Sequence, residues 1–282
     1  MDAKRFEALL QLLDDSDEAV VEAVDKELYN LGLGGIELLE SAWERLGSRV
    51  AQERIEDIIQ RIQFDHFSKE LQEWSQLPSP SLIEGWLLLT RFQYPTLNYT
   101  VYKNEMNRLY NKIWLQFSPQ MTLDWKLREI NRQLFTFDNY KGNYDELDSP
   151  DLLFFNRVID NKKGNSLSLC LLYLSICQEL EIDLKLVNFM GFYALRYYTE
   201  YNHFYIDVFN RGLFLTPDQV KSFLNRNNIH VDLLEFETLN NVMAISRVAY
   251  SLYELYAHAQ KFSKASTFER IALLLEFWAG GE

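Results

Sequence analysis

The sequence predicts an α+β protein that is mostly helical, with a helical N-terminal region, a core containing a small antiparallel sheet, and a C-terminal helical hairpin. Three observations predict it. Apolar residues recur at helical spacing over most of residues 3–135. From residue 184 to residue 215 the chain changes to short aromatic and β-branched segments separated by glycine or polar residues. Helical spacing then returns over residues 239–279.

The N-terminal region predicts short helices that end at polar turns. The acidic turn 14–17 ends the first helix and caps the second, which stops near Gly32. The helical apolar stripes are formed by Phe6, Leu9, Leu10 and Leu13, and then by Val20, Val21, Val24 and Leu28. A long amphipathic helix over 49–75 ends before Pro78.

The middle of the chain predicts helices over 81–93, 101–116 and 121–135, followed by a polar surface loop over 137–150. A further helix is expected to start at Ser149 or Pro150. The apolar stretch that contains Cys170 and Cys177 predicts another helix, which follows the turn at Gly164.

Four strands are expected, over 184–189, 192–198, 203–207 and 212–215. A hairpin turn at 198–202 would place Phe192 opposite Asp207 and His203 opposite Arg196. Thr216 is the expected N-cap of the next helix, with Pro217 at its first position. The last helices, over 239–279, are expected to break near 263–266.

Charge argues against two classes of partner. The formal net charge is −13, with 41 acidic against 28 basic residues and no basic run. Such a chain is not expected to hold a nucleic-acid backbone or an anionic membrane by charge. The N-terminus shows no apolar leader segment, and the longest apolar run, 167–173, is too short to span a bilayer. We therefore expect a cytoplasmic protein without nucleic-acid or membrane partners.

Cys170 and Cys177 are the two cysteines of the chain. Seven residues of helix separate them by about 10 Å, too far for a disulfide. The histidines show no metal-ligand spacing, and there is no Cys-x-x-Cys pair or glycine-rich phosphate loop. No metal and no cofactor are predicted.

Residues 163–215 are the informative stretch: a helix with candidate nucleophiles near its start, then two strands. The segments "LREINRQLF", "SLSLCLLYLSICQEL" and "FYIDVFNRG" resemble the transglutaminase-like core proteins of the bacterial SirB branch. The text before and after resembles a HEAT-type helical leader and a tetratricopeptide-like hairpin. The resemblance predicts a leader over 1–77, a transglutaminase-like (papain-like) core over 78–236, and a C-terminal hairpin over 237–282.

The resemblance implies a thiol nucleophile, a histidine on the next strand and an acid on the strand after it. A helix N-terminus and an imidazole activate the thiol, and the acid orients the imidazole. Here Phe192 occupies the histidine position and Ser166 the position of an expected proline, whereas Asp207 retains the acid. Phenylalanine cannot transfer a proton, so the triad is predicted to be dismantled.

Each candidate residue has a structural alternative. Cys170, or Ser168, is a candidate nucleophile, but a cysteine on an apolar helix is commonly a small core residue. Asp207 is a candidate catalytic acid or a cap at a strand end. His203 lies four residues of strand, about 13 Å, from Asp207, which is too far for a relay.

The aromatic residues of 189–214 are expected to pack the sheet on the helices; the alternative is a residual pocket with Phe192 in its wall that binds a peptide or a hydrophobic ligand, with Asn165 and Arg196 as further binding residues. Lys162, Lys163, Arg157 and Arg196 are candidates for a basic rim. We therefore expect a non-catalytic transglutaminase-like protein that serves as an interaction or scaffold module for a protein or peptide partner. The alternative is a thiol hydrolase or acyltransferase acting on a peptide or amide bond.

Overall fold

The computed structural model describes residues 2–229, 236 and 238–280. The chain forms two compact units, Met1–Leu71 and Gln72–Glu282. The division into leader, core and C-terminal hairpin stays a prediction. None of the described helices is both long enough and apolar enough to cross a membrane.

The first unit is helical, as predicted. Asp17 caps its second helix by accepting a hydrogen bond from the backbone N–H of Ala19. The apolar stripes of its helices pack into one core that includes Leu13, Leu28 and Ile55. The α-helices are α1 (Ala3–Gln11), α2 (Glu18–Tyr29), α3 (Ile36–Arg45) and α4 (Arg49–Ser75), of which α4 runs past the end of the unit.

The second unit combines helices with one main sheet, which confirms the α+β fold class. Thr216 and Pro217 start a helix as predicted, and Thr216 forms a capping box with Gln219. The helices are α5 (Leu82–Gln93), α6 (Tyr99–Trp114), α7 (Leu123–Asn131), α8 (Phe155–Asn161), α9 (Ser166–Glu179), α10 (Pro217–Arg226), α11 (Asn241–His258) and α12 (Phe262–Ala279).

Several helix boundaries differ from the prediction by a few residues, among them those at Pro150 and in the C-terminal hairpin. At Pro150 the chain forms a short 3-10 turn, Pro150–Leu152, and α8 begins only at Phe155. The break in the C-terminal hairpin precedes Phe262 rather than lying near 263–266, because Gln260 has a φ of 56° and so ends α11 in the left-handed region.

The prediction of a surface loop over 137–150 is wrong for its first half. Tyr140 is completely buried, and its hydroxyl accepts a hydrogen bond from Lys162 Nζ at 2.9 Å. Strand β1 (Lys141–Gly142) pairs in parallel with β2 (Lys163–Gly164). The ring of Phe209 packs directly on Gly142, where a Cβ would lie only 2.6 Å from that ring. The tethered start of the loop thereby lies beside the start of α9.

The main sheet contains five antiparallel strands in the order β6-β5-β4-β3-β7. The predicted strands are observed, and a further two-residue strand, β7, adds to the edge at β3. The strands are β3 (Lys185–Phe189), β4 (Phe192–Tyr198), β5 (His203–Asp207), β6 (Leu213–Leu215) and β7 (Thr238–Leu239).

The register of the β4–β5 hairpin differs from the prediction by two residues. His203 pairs with Tyr198, and Arg196 pairs with Tyr205. Phe192 is therefore not opposite Asp207, and His203 is not opposite Arg196. The turn causes the shift: Thr199 N–H donates to Asn202 O at 2.8 Å, which closes a four-residue connection between the strands.

The two faces of the sheet have different neighbours. On one face Val187, Ala194 and Tyr205 form an apolar cluster with Val220 and Leu224 of α10. The side chain of Tyr193 points to the other face, where burial is the largest cause that raises the pKa of its hydroxyl to about 12, and Cys170 of α9 and Ser251 of α11 are among the smaller influences. Successive strand residues point to opposite faces, so each residue of β4 can be assigned to one of these environments.

Candidate functional site

Three elements meet where two inner strands of the main sheet begin and end: the start of α9, the start of β4 and the end of β5. Because β4 and β5 are antiparallel, the first residues of one lie beside the last residues of the other. Helix α9 packs on β4 and β3. The fold thus gathers the backbone positions at which the family resemblance expects a nucleophile, a base and an acid.

Cys170 lies in the second turn of α9 and is completely buried. Its Sγ is 3.6 Å from the backbone carbonyl oxygen of Tyr193. Burial, with the negative charge of Asp207 as a second cause, raises the pKa of the thiol well above its ordinary value. A hydrogen bond from the backbone of Val208 acts in the opposite direction but is the smallest influence. The site therefore favours a protonated, unreactive thiol.

Ser168 is also completely buried and takes part in the cap of α9. Asn165 is the N-cap, and its Oδ1 accepts from the backbone N–H of Ser168 at 2.9 Å. The hydroxyl of Ser168 accepts in turn from the backbone N–H of Asn165 at 3.0 Å. This reciprocal capping box occupies both side chains. It gives each of them a structural use at the place where the sequence predicts a nucleophile and a binding residue.

Asp207 is 5% exposed and holds the turn that follows β5. Its Oδ1 accepts from the backbone N–H of Asn210 at 3.1 Å, and its Oδ2 accepts from Asn210 Nδ2 at 2.6 Å. Both carboxylate oxygens are thus engaged in an Asx-type turn. The carboxylate is nonetheless close enough to Cys170 for its charge to affect the thiol.

Phe192 is half-buried on the α10 face of the sheet. Its ring lies 5.5 Å from the ring of Phe223, measured between centroids, and packs against the apolar cluster of that face. Tyr193, the next residue, points to the α9 face instead. The side chain at the family's histidine position is therefore directed away from Cys170.

Among the described residues, no histidine lies where it could act as the general base for Cys170. His203 begins β5, whereas Asp207 ends it, so about 13 Å of strand separates them. Burial and then the charge of Arg196 lower the pKa of His203. His66 belongs to the first unit, and His258 ends α11. His230 lies outside the described residues.

The three predicted binding residues lie on two elements, α9 and β4. Asn165 caps α9, and Phe192 begins β4. Arg196 lies four residues further along β4, on the same face as Phe192, and pairs with Lys185 and Tyr205 of the neighbouring strands. Its Nε and Nη1 atoms are buried and have no hydrogen-bond partner among the described residues.

Sequence reasoning gave no role to Ser166, the first residue of α9. Its hydroxyl lies 3.4 Å from the backbone N–H of Tyr193 and accepts a hydrogen bond from it. Ser166 thus joins the start of the helix to the start of β4. Its position in the first turn of the helix, directly after Asn165, was the feature of the sequence that could have indicated this role. Among the described residues, no group of three or more histidine, cysteine or acidic side chains is placed to hold a metal ion.

Comparison of the sequence with known proteins identifies the family. Residues 100–249, more than half of the chain, match the sequence profile of the transglutaminase-like superfamily. The chain therefore belongs to that superfamily.

Its relatives include bacterial and animal proteins. A UPF0162 protein of Xylella fastidiosa strain 9a5c is 23% identical over 192 residues, which cover 66% of this chain and 68% of the relative. F-box only protein 21 of Mus musculus is 26% identical over 137 residues, covering 46% of this chain and 21% of the relative. No solved structure matches.

Proposed function

We propose that this protein is a non-catalytic member of the transglutaminase-like superfamily that serves as an interaction module for a protein or peptide partner. The observation that carries the proposal is the position of Phe192. It replaces the general base of the family, and its ring packs against Phe223 on the α10 face. With no histidine near Cys170 among the described residues, the reaction that defines the catalytic members has no route for the proton there.

The burial of Cys170 supports the same conclusion. A thiol enzyme needs a partly exposed thiolate, because the thiolate is the attacking species. Cys170 has no exposed surface, and its environment raises its pKa. Ser168 is equally buried and serves the cap of α9.

The partner-binding role rests on the sequence. The likeness to the bacterial SirB branch, and to helical repeats of the HEAT and tetratricopeptide type at the two ends, favours a protein whose helices present partner surfaces. The two free cysteines, both buried, fit the reducing environment of a cytoplasmic protein.

One observation favours the alternative of a thiol hydrolase or acyltransferase. The charge of Asp207 and the backbone N–H of Val208 both affect the pKa of the Cys170 thiol, so the acid and the thiol lie as close together as the chemistry requires. In that reaction the thiolate attacks an amide carbonyl, and a thioester forms as the amine leaves. Water or a second amine then resolves the thioester.

An activity assay separates the two functions. Wild type and Cys170→Ala are incubated with a glutamine-containing peptide and a fluorescent primary amine, and ammonia release and amine incorporation are both measured. The proposal predicts background rates for both proteins. A wild-type rate above background that Cys170→Ala abolishes, while the variant retains its fold by circular dichroism, would establish the alternative.

A further inference from the structure

A cleft of about 490 Å³ lies next to the turn that Asp207 holds. Its walls come from β1 and the residues after it, from Lys163 of β2, and from residues 209–211 after β5. The cleft has room for a small ligand or one residue of a peptide.

The cleft gathers positive charge in a chain whose net charge is −13. Lys141 and Lys163 are register partners of the β1–β2 pair and both line it, together with Arg211. The lining contains one acidic residue, Asp145. Like charges at directly opposite strand positions destabilise a pair of strands. A counter-ion between them would remove that cost.

The two lysines have no carboxylate partner among the described residues. The adjacent Lys162 shows the contrast, since its Nζ lies 3.6 Å from Glu105 and donates to the hydroxyl of Tyr140 at 2.9 Å. Arg211 is also without a carboxylate in the described part of the chain, and its Nη2 donates to the backbone carbonyl of Phe135 at 3.2 Å. The charges that line the cleft are thus available to a ligand.

Asn143 supplies an independent observation. It is 4% exposed and lines the cleft. Its backbone N–H donates to Gly164 O at 3.1 Å, but its side-chain amide has no hydrogen-bond partner among the residues that the structure describes. Because the polar atoms of this amide are not fully buried, they reach the cleft, and its N–H groups are available to a ligand that accepts hydrogen bonds.

The remaining wall is aromatic and fixed. The rings of Tyr144 and Phe209 meet edge to face, with centroids 4.6 Å apart. The hydroxyl of Tyr144 donates to Asn210 Oδ1 at 2.6 Å, and Asn210 Nδ2 donates to Asp207 Oδ2 at the same distance. These bonds hold the cleft in shape without using Asn143 or the cations.

We propose that this cleft binds an oxyanion, either a carboxylate or a phosphate group, through Lys141, Lys163, Arg211 and the side-chain amide of Asn143. The ammonium and guanidinium groups supply charge, and the amide supplies a directional donor. This inference goes beyond the proposed function, because it holds whether or not Cys170 reacts.

Titration calorimetry of the full chain tests the proposal, with inorganic phosphate and succinate as separate probes in a buffer of about 10 mM ionic strength to limit screening. Wild type is expected to bind one probe saturably, and the probe bound more tightly identifies phosphate or carboxylate as the ligand group. Lys141→Ala/Lys163→Ala is expected to weaken that binding roughly tenfold or more. Asn143→Asp, which places a negative charge in the wall, is expected to abolish it.

Lys221→Ala, at an exposed lysine of α10 outside the cleft, is the matched control and should bind as wild type does. Circular dichroism checks the fold of each variant. Lys141 is exposed and Lys163 half-buried, so replacing both should not unfold the protein. The double lysine variant therefore still tests the proposal if Asn143→Asp fails to fold. Absence of saturable binding of both probes by wild type would overturn the proposal. Equal binding by wild type and the double lysine variant would overturn it as well.

Discussion

The ring of Phe192 lies against the ring of Phe223, with centroids 5.5 Å apart, on the face of the sheet opposite to the side chain of Tyr193. The resemblance to the family predicts a histidine at position 192. The packing shows that this residue belongs to an apolar cluster shared with α10. At the predicted base position, Phe192 instead packs against this apolar cluster.

Phe192→His is predicted to lower stability without restoring thiol chemistry. The imidazole would replace apolar contacts with Phe223, and we expect a loss of about 1–3 kcal/mol in the free energy of unfolding. Urea unfolding measures it, with Phe192→Leu as an apolar control that should lose less. A faster reaction of Cys170 with iodoacetamide in Phe192→His would show that position 192 still communicates with the thiol, contrary to the structure.

Ser168→Ala is predicted to destabilise the protein by about 1 kcal/mol, because it removes half of the capping box at the start of α9. Asn165→Ala should cost a similar amount. Ser266→Ala, at an exposed position inside α12, is the control and should leave the unfolding midpoint nearly unchanged. If Ser168→Ala unfolds at the wild-type urea concentration, the hydroxyl has no capping role.

Gly164→Ala is predicted to be destabilising through Ser168. A Cβ at this position would lie 2.5 Å from Ser168 Oγ and 3.0 Å from Leu169 Cγ. We expect a loss of about 1–3 kcal/mol. Because part of the clash is with the hydroxyl, the same change should cost less in a Ser168→Ala background, and a double-mutant cycle measures the difference. Strictly additive effects would contradict a direct contact.

The strand segments of the core could be predicted from sequence, since β4 and β5 begin and end at the predicted residues. Alternation of aromatic and β-branched residues carries that information locally. The pairing of His203 with Tyr198 could not be predicted, because a backbone bond within the turn decides the register. The two residues of β7 are too short for any periodicity to indicate a strand.

The residues of the candidate site could be predicted from the sequence, but the orientations of their side chains could not. The sequence identifies Cys170, Phe192 and Asp207, and the fold brings their backbone positions together at one end of strands β4 and β5. Which way Phe192 points depends on Phe223, a partner 31 residues later that sequence spacing does not select. The burial of Tyr140, within a polar stretch, likewise depends on Lys162.

Glu105 is predicted to make stability depend on pH. Hydrogen bonding by Arg108, at 2.8 Å from Nε to Oε2, is the largest cause that lowers the pKa of this carboxyl, and Lys162 contributes. A folded-state pKa below the unfolded value stabilises the protein above the unfolded value of about 4.3, and this stabilisation is lost as pH falls through the folded value.

Glu105→Gln should therefore be less stable than wild type at neutral pH, and the difference should shrink as the pH is lowered below about 4.3. Urea unfolding of both proteins across that range measures the difference. Glu200→Gln, in the exposed turn between β4 and β5, is the control and should show no such trend. A difference between Glu105→Gln and wild type that persists undiminished in acid would assign the role of Glu105 to packing rather than charge.

The alkylation rate of Cys170 as a function of pH is the most direct test of the central claim, that the transglutaminase-like site is not catalytic. The measurement uses the folded protein in a Cys177→Ala background, so that one thiol reports. We expect slow labelling that accelerates only when urea unfolds the chain, because Cys170 is completely buried. Fast labelling of the native protein, with a pH midpoint well below the reference thiol value of about 8.5, would reveal an activated thiolate and contradict it.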